Sequence, residues 1–173
     1  MGWRRAECIR ELFIANNTIT PKTIYAQKAS KKDETIPDSR RQIETVAPLA
    51  RKLGLTINNS FTSFQLDELS KDIGNLDANA FPVLVSWNHD EIKNFLINFG
   101  MKYQIAPKYP SKRYDLVWVI NRDENNNVVF RYFSQNCEGL GDYRFSNDAS
   151  KISQQWVMRS LIIATIAALL FIF

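Results

Sequence analysis

Apolar positions recur along this chain in two rhythms, one helical and one extended, and the changes between them mark out the elements. In Trp3–Ile14 the residues Trp3, Ala6, Ile9, Leu12 and Phe13 fall on one side of a helix. Asn16–Pro21 breaks that pattern, Thr23–Ala26 reads as a short strand, and Gln27–Ser39 is a polar, Lys-rich loop containing Pro37. Ser39 then suits the cap of a helix from Arg40 to Leu53, with Ile43, Val46, Ala47, Ala50 and Leu53 inward. Pro48 interrupts this pattern and predicts a kink or split, and Gly54 stops it. Leu55–Ile57 is a brief strand, and Phe64–Ile73 is a second short helix on Leu66, Leu69 and Ile73.

The sharpest change of rhythm comes at Phe81–Leu96. Phe81–Val85 is apolar and rich in β-branched residues, as in a strand buried on both faces of a parallel sheet. Ser86–Glu91 is polar, and Ile92, Phe95, Leu96 and Phe99 follow at helical spacing up to Gly100. A buried strand that feeds a helix places its turn at the carboxyl edge of the sheet, where open α/β folds bind ligands. That turn holds His89, the only histidine of the sequence. A helix start also offers N–H groups and a positive dipole end to an anion. The competing reading makes His89 a capping or packing residue.

Lys102–Arg113 is a loop with prolines at 107 and 110, and Tyr114–Ile120 and Val128–Phe133 are strands joined by a turn over Asp123–Asn127. The fold class is therefore α/β, with a mainly parallel sheet flanked by helices and a hairpin near its end. Ser160–Phe173 is uncharged and apolar around its whole circumference. As a helix it spans about 21 Å, or about 27 Å if extended back to Trp156, against a hydrocarbon core of about 30 Å. The pattern predicts a membrane anchor over 153–173, separate from a domain over 1–150. The alternative is a buried C-terminal core helix. Lys151 and Arg159 on its flank would keep the body on the cytoplasmic side.

Composition narrows the classes. The 173 residues suit one domain with a real core, and 45% apolar and 23% charged residues are ordinary for a globular chain. A net charge of +4 arises from scattered basic residues with no aromatic-interleaved stripe, which argues against a nucleic-acid partner. Cys8 and Cys137, far apart in sequence, make no disulfide framework, and with one histidine there is no zinc constellation. These features predict reduced cysteines and neither a metal nor a cofactor.

Three separated segments together resemble the histidine phosphatase superfamily, in particular its fungal phosphoglycerate mutase-like members. Arg41–Ala50, RQIETVAPLA, is similar to that family's Arg-x-x-x-Thr-Ala helix start. Val83–His89 looks like the strand that delivers its second active-site histidine. Tyr114–Val119, with Asn136–Leu140 after the hairpin, looks like its closing strands. The resemblance implies a phosphoglycerate mutase-like fold and a phosphorylated small molecule as partner. Arg41 would bind phosphate, His89 would stabilise the transferred group, and Asn88 would stand beside it on the substrate side.

Family members also use an Arg-His-Gly motif at the end of a first strand, whose histidine becomes phosphorylated. This sequence contains no such motif and begins in the helix expected to follow it. The reading is thus a histidine phosphatase-like protein, N-terminally incomplete and without phosphoryl-transfer activity. The alternatives are a non-catalytic membrane-tethered scaffold or binding module, and a phosphomonoesterase that relies on His89. The phosphatase reading predicts that Arg41 and His89 converge on one cleft at the carboxyl edge.

Overall fold

The computed structural model describes residues 2–29, 40–110, 112–140 and 169–172. It is α/β, with four helices and a six-stranded mixed sheet among those residues. The chain runs α1 (Gly2–Ile14), β1 (Thr23–Ala26), α2 (Arg41–Leu53), β2 (Ile57–Asn58), α3 (Leu66–Gly74), β3 (Val83–Ser86), α4 (Ile92–Asn98), β4 (Leu116–Arg122), β5 (Val128–Ser134) and β6 (Leu169–Ile172). Short 3-10 turns cover Ala78–Ala80 and His89–Glu91.

The strand order is β2-β1-β3-β6-β4-β5. Parallel pairing joins β2, β1, β3 and β6, whereas β4 is antiparallel to both its neighbours. Side-chain alternation then divides the interior in two. Tyr25, Val83, Val85, Leu116, Trp118, Ile120 and Leu169 meet α3, α4 and the 101–109 loop on one face. Ile24, Ala26, Leu84, Val117, Val119, Leu170 and Ile172 meet α1 and α2 on the other. Every residue of β3 is buried, which is why Val83–Val85 carries no polar alternation.

α2 passes through Pro48 without interruption, and Pro48 is buried along with Val46, Leu49 and Ala50. The helix stops at Gly54, whose φ of 68° only glycine adopts without strain and whose N–H bonds back to the carbonyl of Arg51. Ser39, expected as the cap, lies outside the described residues, and Arg40 takes the N-cap position. The β4–β5 turn follows the sequence closely. Asp123 Oδ1 accepts the N–H groups of Asn125 and Asn127, and Asn126 takes a φ of 63°.

Two expectations are corrected. The first concerns the apolar tail. Its last described residues form no helix: Leu169–Ile172 is a strand at the middle of the sheet, pairing in parallel with β3 and antiparallel with β4. No described helix is long and apolar enough to cross a membrane. The membrane anchor and the membrane location, body toward the cytoplasm, are therefore withdrawn; residues 153–168 and 173 lie outside the described residues. A strand covered on both faces is apolar at every position, so its composition matches that of a lipid-facing or fully buried helix.

The second correction concerns the cysteines, which are joined to each other. Cys8 on α1 bonds to Cys137 after β5, with their Cα atoms 5.8 Å apart and 129 residues between them in sequence. Separation along the chain says nothing of separation in the fold, because α1 shares one buried cluster with residues of β4 and β5. On a chain-entropy account, a bridge closing so long a loop stabilises the fold by about 4–5 kcal/mol.

If β6 is part of the core, Leu170→Ala should destabilise the domain by about 2–5 kcal/mol in chemical denaturation. Phe64→Ala, at a side chain 96% exposed, is the control and should change stability by less than about 0.5 kcal/mol. Equal midpoints for the two variants would show that β6 does not hold the sheet together.

Candidate functional site

The carboxyl edge of the parallel strands is where the chemistry-bearing residues collect. β1 and β3 end there, and the helix after each starts there. Because β4 runs the other way, its first residues and the last residues of β5 reach the same edge. α1, which leads into the amino end of β1, brings its own first turns to it as well.

The turn after β3 is pinned by its backbone. Gln27 N donates to the Ser86 carbonyl at 2.9 Å, and Trp87 N donates to the Ile172 carbonyl at 3.3 Å. The buried Gln27 side chain then accepts Asn88 N at 3.1 Å. Asn88 in turn uses Oδ1 to accept Asp90 N at 3.2 Å, capping the 3-10 turn His89–Glu91. That corrects the expected helix-start anion site. The Asp90 N–H is already occupied by Asn88, and only after the 3-10 turn does the seven-residue α4 begin. The N–H groups of Trp87, Asn88, Asp90 and Glu91 thus all have partners within the fold, and Asn88 acts here as a cap.

His89 keeps 24% of its side-chain surface exposed, and its Nε2 lies 3.4 Å from Asp90 Oδ1. Its ring stands 5.7 Å from that of Tyr109 and 6.2 Å, edge-on, from that of Tyr114. The imidazole thus sits in an aromatic corner with one carboxylate beside it. Arg41 is the first residue of α2, exposed, with its carbonyl accepting the Thr45 hydroxyl at 2.7 Å. Arg41 and His89 therefore both lie at the carboxyl edge, where the sequence reading has them converge on one cleft. They stand in opposite layers, since α2 packs on the face shared with α1 and α4 on the other. A common edge is what the architecture gives them; a common cleft is not part of the described geometry.

Sequence reading missed a buried polar cluster next to this corner. Asp115, only 2% exposed, receives both Arg113 Nε at 2.5 Å and Arg113 Nη2 at 2.6 Å, together with the Ser134 hydroxyl at 2.6 Å. Its carbonyl accepts Gln135 N at 2.7 Å, and the Gln135 side chain accepts Arg5 Nη1 at 2.8 Å. The available signal was the pair Arg113 and Asp115 immediately before an apolar run, since a charge at a buried strand start needs a fixed partner. Burial is the largest influence on the Asp115 carboxyl and pushes it up, but the Arg113 and Ser134 hydrogen bonds and the Arg113 charge outweigh it. The net effect holds the group below the usual carboxylate range. Burial raises the Tyr109 hydroxyl well above its ordinary value; a backbone hydrogen bond at Leu116 opposes this, Asp115 adds to it, and Arg113 and Arg5 oppose it.

Among the described residues no group of three His, Cys, Asp or Glu side chains is placed to hold a metal ion. An open groove of about 380 Å³ runs between α3 and α4, lined by Phe64, Leu66, Asp67, Glu91, Asn94 and Ile97 among others, and it includes neither His89 nor Arg41. Compared with known proteins, the chain matches no family model, no curated protein and no solved structure. The histidine phosphatase resemblance thus draws no support from them.

The Asp115 cluster has a pH signature. A carboxyl whose folded pKa is depressed adds stability above its unfolded value of about 3.9, and that stability is lost as pH falls through the folded value. Asp115→Asn should therefore lower stability at pH 7 by about 3–5 kcal/mol, the cost of breaking a buried ion pair. It should also flatten the fall in stability below about pH 4. Parallel acid-unfolding curves for the two proteins would show that this carboxyl does not carry the acid sensitivity.

Proposed function

We propose that this chain binds a phosphate-bearing small molecule at the carboxyl edge of its sheet and does not turn it over. The observation that carries the reading is topological. One sheet edge carries Arg41 at the head of α2 and Arg5 on α1, with His89 after β3 at the same edge in the opposite layer, in a chain of net charge +4. Guanidinium groups meet phosphate oxygens bidentately, and the region outside the carboxyl ends of parallel strands is where open α/β folds hold ligands. Asp115 is held by Arg113 and Ser134, so its charge is compensated within the edge. Asp90 and Glu91, beside His89, disfavour a dianion close to the imidazole, which favours a phosphate nearer Arg41 and Arg5.

Absence of turnover follows from the chemistry that the phosphatase resemblance implies. That reaction opens with attack by a histidine nitrogen of an Arg-His-Gly motif, and the sequence holds neither the motif nor a second histidine. His89, in the role of the second histidine, stabilises a transferred group and does not supply the attacking atom. Loss of even one preorganised donor costs about 2.7–4 kcal/mol of transition-state stabilisation, and loss of the nucleophile removes the covalent route altogether. The phosphoglycerate mutase-like fold is the finer form of this reading, and the parallel β1-α2-β2 unit followed by β3 and α4 is in keeping with it.

Calorimetry with inorganic phosphate tests the binding, and p-nitrophenyl phosphate tests the turnover. Phosphate should bind in a salt-sensitive manner, and Arg41→Gln should weaken it by about tenfold, the worth of one charge-assisted hydrogen bond. No p-nitrophenol should appear. Phosphate binding unchanged by Arg41→Gln would remove the anion site, and steady hydrolysis abolished by His89→Ala would make the protein a phosphomonoesterase.

A further inference from the structure

Short contacts run from the disulfide through Gln135 to Arg5 on the first turns of α1. Cys137 follows Gln135 and Asn136 at the end of β5, and its sulfur lies 3.9 Å from Gln135 Oε1. That same oxygen accepts Arg5 Nη1 at 2.8 Å. Arg5 and Cys8 lie three residues apart on α1, so they are neighbours on its surface. The positive charges of Arg5 and Arg113 both bear on Tyr109, whose ring stands against His89. Gly139, in the next turn, approaches Arg4: a Cβ built there would stand 3.3 Å from Arg4 Nη2. The first turns of α1 are thus held against the 135–139 segment at three points, the covalent one at Cys8–Cys137 and two guanidinium approaches.

The rest of α1 is secured differently. Ala6, Ile9 and Phe13 are buried against the sheet and do not depend on the bridge for their packing. Opening the bridge therefore removes the covalent tie between the first turns of α1 and the 135–139 segment, leaving the non-covalent contacts of Arg4 and Arg5, while Ile9 and Phe13 keep the helix body docked.

We propose that Cys8–Cys137 is a redox-responsive latch on the anion-binding edge: oxidised, it fixes Arg5 beside Gln135 and the Tyr109–His89 corner; reduced, it leaves Arg5 to its non-covalent contacts alone and weakens anion binding. This inference rests on the phosphate-binding reading above. The step is thiol–disulfide exchange with an external dithiol. One thiolate of the dithiol attacks a bridge sulfur, the S–S bond breaks, and the second thiol resolves the mixed disulfide. Cys8 and Cys137 each leave with a proton, and the dithiol becomes a cyclic disulfide. Oxidised glutathione, as a disulfide donor, reverses the exchange and is itself reduced.

The test uses the full chain and inorganic phosphate, with calorimetry before and after treatment with dithiothreitol. Thiol titration should find no free thiols before treatment and two after, and reduction should weaken phosphate binding by about tenfold, the loss of one charge-assisted contact. Near-UV circular dichroism should be retained, and oxidised glutathione should restore the affinity. Oxidised Arg5→Gln should bind as weakly as the reduced protein and should not respond to dithiothreitol. Cys8→Ser should match the reduced state. Equal affinity in both redox states overturns the latch and leaves the phosphate site standing, whereas no binding in either state removes both. Two free thiols in the untreated protein, loss of near-UV signal on reduction, or an Arg5→Gln variant that still responds to dithiothreitol would each overturn the latch.

Discussion

Pairing of Leu169–Ile172 with two strands at once is the interaction on which the rest of the sheet depends. Without β6 the sheet divides into β2-β1-β3 and the β4–β5 hairpin, which share no other ladder among the described residues. β6 also completes both hydrophobic faces, with Leu169 on one and Leu170 and Ile172 on the other. Its last carbonyl even fixes the turn beyond β3, since Trp87 N donates to Ile172 O. The aromatic corner at His89 is held from one side by β3 and from the other by the segment before β4, and β6 lies between those two strands in the sheet.

Much of this architecture could be read from the residues. Thr23–Ala26 is the strand the pattern predicts, and α1, α2 and the β4–β5 hairpin lie within a few residues of their expected bounds. These elements have strong local causes, such as a helical apolar face, a glycine stop or an Asp-Asn turn. The tail went wrong because local pattern cannot distinguish a strand covered on both faces from a helix covered all round. Pro48 does not split α2. Burial of Pro48 in the middle of α2 offsets the single backbone hydrogen bond lost there.

The candidate site was legible in its location and less so in its contents. A buried strand, a polar turn and a helical pattern do point to the carboxyl edge, and His89 is there. The Asn88 cap was hidden because a polar turn reads the same whether its side chains serve a ligand or their own backbone. The Asp115–Arg113–Ser134 cluster and the Cys8–Cys137 bridge were hidden for a different reason. Each joins residues that only the tertiary fold brings together, and one sequence carries no record of such pairs.

The position of β6 also bears on how the chain folds. Its partners in β3 lie far earlier in the sequence, and parallel pairing over such a distance must overcome loop-closure entropy before any contact repays it. Until β6 docks, β3 and β4 each present an open row of backbone donors and acceptors on an apolar strand. Such a row is a template for pairing with another molecule. The helices and the hairpin form from local contacts, so the slow step is closure of the middle of the sheet. During that interval the order of events, more than the final stability, decides between folding and aggregation.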